Sequence, residues 1–184
     1  MQERSAGPSA AAVLAVAGGL MIVLGSLSAW ADASVPGFTP VPWKGSQSVA
    51  GKLVLLAGVV VAGVGVASLS RLPVGRPLAA VALAGGMAAG VLAILVALTL
   101  DGRVADDVVA FYMRQLAMPG AAAQSLVDGA IGTGQFRVTP AVGLLAAIAG
   151  SFIAIVAGML ARMWAVRAAA LGWSRSPDEP RAEG

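Results

Sequence analysis

Four stretches of the chain carry no charged residue, and the polar positions bunch between them. Ala10–Ala31, Leu53–Ser70, Leu78–Leu100 and Val138–Ala161 contain no Asp, Glu, Lys or Arg. Each approaches the ~20 apolar residues that a helix needs to cross a hydrocarbon core about 30 Å thick. Each also begins at a credible helix start. Pro8-Ser9 precede the first, Ser46 and Ser48 the second, Arg76-Pro77 the third and Thr139-Pro140 the fourth. Serine and threonine accept from the free N–H groups of a first turn, and proline suits that turn because it has no N–H to leave unpaired. The pattern predicts spans over 10–31, 49–70, 77–100 and 138–161. Arg4 and Ala29-Trp30-Ala31 fit the outline of a cleaved signal peptide. Against cleavage, the apolar run exceeds the ~7–15 residues of a signal core and a tryptophan would flank the cut, so the first segment is read as a retained span.

Between the third and fourth runs the period changes. In "DGRVADDVVAFYMRQLAMPG", Val104, Val108, Val109, Phe111, Tyr112 and Leu116 share one helical face, and Asp106, Asp107, Ala110 and Arg114 share the other. This predicts an amphipathic helix over 102–118, ended by Pro119-Gly120, with a shorter helical stretch over 121–127. Its apolar face can lie on the membrane surface, cap the protein's own bundle or receive a partner, and Val104, Val108, Phe111, Tyr112 and Leu116 are the candidate partner-binding residues. The fold class expected is all-α: a four-helix transmembrane bundle spanning residues 10–165 with an extracytoplasmic amphipathic helix. A cytoplasmic N-terminus (1–9) precedes it and a cytoplasmic tail (166–184) follows, the tail's distal part disordered.

Composition adds exclusions. The chain has 184 residues, no cysteine and no histidine. Disulfides, thiolate metal sites, histidine-ligated haem and histidine acid–base catalysis are therefore absent. None of the four uncharged runs contains an ionisable residue, the usual marker of a proton or ion path, and Lys52 stands just before the second of them. Asp106 and Asp107 are adjacent and diverge on a helix, and no further carboxylate completes a cage, so no metal is expected. "GTGQ" lacks the strand before it and the Lys-Ser/Thr after it that a phosphate loop requires. No catalytic residue, cofactor or metal ligand is expected. The sequence pI near 10.2 accompanies a net charge of only +3, spread along the chain, and does not indicate nucleic acid.

The basic residues do set an orientation. Arg4, Arg71, Arg76, Arg162, Arg167, Arg175 and Arg181 fall on one side, and Lys44, Lys52, Arg103, Arg114 and Arg137 on the other. The side richer in Lys and Arg is normally cytoplasmic, which places both termini inside. Trp30 and Trp43 are then expected as anchors at the outer interface, and Trp164 and Trp173 at the inner one. Their outer loop, "ADASVPGFTPVP", reads as a tight hairpin with no regular element. Helix packing is expected through small residues at four-residue spacing: Ala82, Gly86 and Gly90 in the third span, and Gly150, Ala154 and Gly158 in the fourth.

The Ala, Val, Gly and Leu of the spans, with ten arginines against two lysines, resemble the usage of a GC-rich actinobacterium. "VLGSLSAW", "SVAGKLVLLAG" and "TPAVGLLAAIAGSFIAIVAG" resemble small four-span actinobacterial membrane proteins, the tryptophan-operon-associated membrane protein group among them. The resemblance implies architecture rather than activity. The expected function is that of a non-enzymatic accessory or scaffold protein of a bacterial inner membrane, in contact with lipid and a larger membrane complex. The alternative is a transporter or channel subunit for a small neutral or apolar solute.

Overall fold

The computed structural model describes residues 6–34, 40–70 and 75–173. The element order is α1 (Ala6–Leu27), β1 (Ala29–Ser34), β2 (Val41–Lys44), a 3-10 turn (Gly45–Gln47), α2 (Val49–Leu69), α3 (Gly75–Leu98), α4 (Leu100–Gln115), α5 (Gly120–Gly132), β3 (Arg137–Pro140) and α6 (Val142–Trp173). Four of these helices, α1, α2, α3 and α6, are long and apolar enough to cross a membrane. They pack in a ring in which α1 touches α2 and α6, and α3 touches α2 and α6. The strands, α4 and α5 gather at one end of this bundle as a cap.

Glycine lets the helices come together. On α1, a β-carbon at Gly18 would stand 2.8 Å from the Gly150 carbonyl oxygen, and one at Gly25 would stand 2.6 Å from that of Gly143. Both pairs sit seven residues apart on antiparallel helices, so two rungs of backbone contact join α1 to α6. Gly19, turned ~100° from Gly18, meets α2 instead, where a β-carbon would lie 2.5 Å from the Ala62 nitrogen and 2.7 Å from the Gly58 oxygen. On α2 the buried positions are Gly51, Val54, Gly58, Val61 and Gly65, an alternating three–four spacing. That seven-residue period suits helices lying nearly along one another.

The four-residue ladders are also in contact inside the bundle. A β-carbon at Gly86 would meet the Ser151 oxygen at 3.0 Å, and Gly90 faces Ser151. Gly150 faces α1, while Gly158 approaches the Leu83 nitrogen. Ala82 and Ala154 are buried. The glycine positions on α1 carry the tightest approaches to both neighbours, and four-residue spacing in the other spans does not single them out.

Two further differences from the sequence-based expectation concern the ends of the spans. The first helix stops at Leu27 rather than residue 31, because residues 29–34 enter a sheet. The last begins at Val142 rather than residue 138, because Val138 to Pro140 belong to β3, and it continues 32 residues to Trp173. No proline interrupts Arg162–Ala170, so the helix passes through the segment expected as tail. Disorder is expected over "LGWSRSPDEPRAEG", but the helix continues through the first three residues, to Trp173; the rest, 174–184, lies outside the described residues, as does most of the 1–9 segment.

The described residues are mostly helical, as expected, and add a three-stranded antiparallel sheet in the order β2-β1-β3 that an all-α class leaves out. Ala31 pairs with Trp43 on one side and with Pro140 on the other. Pro42 and Pro140 occupy the two outer strands, where a missing N–H can be tolerated. A register shift between Ala29 and Ala31 makes Trp30 an extra residue in β1. A bulge of this kind turns a side chain out of the normal alternation, and here it turns the indole into the protein.

Candidate functional site

The cap is organised around the two tryptophans. Trp30 is fully buried and Trp43 nearly so. Their rings meet edge-on, with centroids 6.3 Å apart. Trp30 Nε1 donates to the Gly25 carbonyl at 2.9 Å, and Trp43 Nε1 donates to Asp107 Oδ2. The expectation of membrane-interface anchors requires rings that face the headgroups. Burial inside the cap makes Trp30 and Trp43 its core instead. Trp164 is partly exposed with the Arg167 guanidinium 5.5 Å from its ring centre, and the side chain of Trp173 lies outside the description.

Local sequence explains the fit of Trp30. Gly45 lies against its indole, leaving no room for a β-carbon there, and Gly51 in turn lies against the Gly45 carbonyl. Ser48 caps α2 between them: its Oγ accepts from Gly51 N at 2.9 Å and donates to Gly45 O at 3.0 Å. The segment "KGSQSVAG" is therefore both a helix start and the seat of a tryptophan.

Helix α4 closes over this core. Val104, Val108 and Tyr112, each one turn apart, are buried. They are spent on the protein's own cap, and the expectation that they form a free partner-binding face is corrected accordingly. Phe111 and Leu116 remain exposed, at 38% and 52%. Phe111 lies at the margin of the buried stripe, and Leu116 follows the end of α4. Burial raises the Tyr112 phenol above its ordinary value of 10.0. The folded protein thus favours the neutral phenol. Its contribution to stability is whole below pH 10 and is lost as pH rises through the raised value. Tyr112 is the chain's only tyrosine. Phenolate absorbance in the folded protein is therefore expected to appear above the ordinary range, together with loosening of the cap. Titration at the ordinary value would contradict burial.

Beside the Trp43–Asp107 hydrogen bond is a groove of about 590 Å³. Trp43, Lys44 and Gln47 form one wall, and Asp107, Phe111 and Arg114 the other. Gln47 Oε1 accepts from the Lys44 backbone N–H at 3.3 Å. Among the described residues, neither Lys44 nor Arg114 forms an ion pair. The groove thus carries two cations, the half-exposed Phe111, and one carboxylate, Asp107, that accepts from an indole N–H, leaving a net positive charge among these residues. It suits an acidic or carboxylate-bearing segment with an apolar side chain. Of the residues expected from sequence, it contains Phe111 and Trp43. Lys44, Gln47, Asp107 and Arg114 were not singled out for binding, because the two walls are far apart in the chain: Trp43 lies 64 residues before the Asp107 it meets. The only local sign was Asp107 beside an otherwise apolar stripe.

The bundle interior offers no comparable chemistry. Ser26 and Ser151 are buried, and each hydroxyl donates to its own helix, to Ile22 O at 2.9 Å and to Ala147 O at 2.8 Å. No buried side-chain nitrogen or oxygen among the described residues lacks a partner. No family model matches this chain, and searches of curated proteins and of solved structures return no match.

Proposed function

We propose that this is a non-enzymatic accessory protein of a bacterial inner membrane that docks a partner through the groove between β2 and α4. The observation that carries this reading is a groove on the cap in which Lys44 and Arg114 flank Phe111 and Asp107, beside the buried pair of Trp30 and Trp43. The charge asymmetry of the loops supports both termini in the cytoplasm and the cap outside. The groove then faces the extracytoplasmic segments of neighbouring membrane proteins. The alternative, a carrier or channel subunit for a small neutral solute, needs space between the spans. Backbone contact of α1 with both α2 and α6, and serines satisfied within their own helices, favour a closed bundle.

The test is site-directed photocrosslinking in native membranes, with the probe at Gln115 at the groove mouth and a control probe at Val59 on the exposed side of α2. A discrete protein adduct from Gln115, absent from Val59 and lost on Arg114→Glu in a folded protein, is the expected result. Equal labelling at both positions, or an adduct indifferent to Arg114, would overturn the reading.

A further inference from the structure

At the end of the bundle away from the cap, a groove of about 410 Å³ opens between α3 and α6. Ala79, Ala80 and Leu83 line it from α3, and Arg162, Ala165 and Val166 from α6. Its origin is steric. Gly158 brings the two helices to backbone contact, its would-be β-carbon 2.8 Å from the Leu83 nitrogen and 3.0 Å from the Ala79 oxygen. One turn further on, the facing residues are mostly alanines, which are too short to fill the space between the helices.

Among the described residues lining this groove, Arg162 is the one that carries a charge. It is exposed, and no carboxylate among the described residues pairs with it. The described acidic residues, Asp32, Asp101, Asp106, Asp107 and Asp128, all lie in β1, α4 and α5 at the cap. The described basic residues of the other end are Arg76, Arg162 and Arg167, and Arg167 is held over Trp164. Arg162 therefore has five N–H donors beside an apolar trough, on a helix whose apolar span runs Val142–Ala170. An occupant must carry a negative charge and an apolar chain in the same molecule.

We propose that the α3–α6 groove binds an anionic phospholipid, with the phosphate on Arg162 and an acyl chain along Ala80, Ala165 and Val166. A diester with no cation of its own suits the site. A zwitterionic headgroup brings a cation for which this end of the described protein has no acid. The guanidinium meets phosphate oxygens through paired N–H donors, and a basic side chain near a membrane surface strengthens anionic lipid binding by about fivefold.

Native mass spectrometry of the full chain in a neutral detergent tests this, with phosphatidylglycerol and phosphatidylcholine supplied at equal concentration. The expected result is phosphatidylglycerol adducts favoured at least about fivefold, with the ratio falling towards one in Arg162→Gln and unchanged in Arg167→Gln. Arg162 is exposed, so Arg162→Gln should fold, and retained helicity checks it. Ala165→Leu, which leaves the charge and fills the trough, should weaken phosphatidylglycerol binding as well. Equal binding of the two lipids, a preference that survives Arg162→Gln, binding unaffected by Ala165→Leu, or displacement of the lipid by inorganic phosphate at similar concentration would each overturn the proposal.

Discussion

Gly19→Leu is expected to separate α1 from α2 and to destabilise the protein by about 3 kcal/mol or more, at the upper end of what overpacking costs. The β-carbon alone would stand 2.5 Å from one backbone nitrogen and 2.7 Å from a carbonyl oxygen of α2. Neither atom can move without moving the helix. The effect runs against local preference, since leucine is better than glycine in a helix by about 1 kcal/mol. Gly63 on α2 supplies the control. Nothing lies within 4 Å of a β-carbon there, so Gly63→Leu should unfold at the same temperature as the parent or slightly above it. Thermal unfolding of both variants in one detergent decides the matter. Matching midpoints would mean that the close approach of α1 and α2 is not what holds the bundle.

Gly51→Ala, a change of one methyl group, should release the cap while the spans stay helical. A β-carbon at this position would overlap the Gly45 carbonyl, and Gly45 cannot retreat because the Trp30 indole is behind it. Relaxation must push out Trp30, and with it the T-shaped contact to Trp43 and the Trp43–Asp107 hydrogen bond. A loss of about 2–3 kcal/mol is expected from overpacking and the broken charge-assisted bond together. Three readings should move in concert: tryptophan emission to longer wavelength, faster proteolysis within α4 and α5, and Tyr112 titration falling back towards its ordinary value. Ser48→Ala, which removes only the cap of α2, should cost about 1 kcal/mol and leave the emission where it was. An unmoved emission in Gly51→Ala would show that Trp30 does not depend on this seat.

The spans were legible because about twenty uncharged residues in a row have few other uses. The inward face of α4 was legible because Val104, Val108 and Tyr112 keep a four-residue period. The sheet was not. "AWADAS", "VPWK" and "RVTP" are short, the last two contain proline, and β1 finds β3 more than 100 residues later. The same distance hid the site. Asp107 does lie on the exposed face of its helix, but its partner, Trp43, lies 64 residues earlier and could not be paired with it from the sequence. The tryptophans were assigned to the interface because position relative to a span says nothing about a bulge that turns a ring inward. Gly18 and Gly19 went unremarked because they are adjacent. Adjacent residues on a helix face different neighbours, and here each serves one.

The central place of β1 has a consequence for how the chain is made. This strand follows the first span directly, yet one of its two neighbours is the strand that leads into the last. During synthesis the first hairpin can form early, but β1 keeps an open edge until β3 has emerged. An exposed edge recruits other strands, and pairings of such long sequence separation form slowly. Gly18 and Gly25 likewise wait for Gly150 and Gly143. Insertion of the final helix thus completes the sheet and the α1 seam together. A helix translated more than 100 residues after β1 acts as the clasp that makes the earlier segments a single structure.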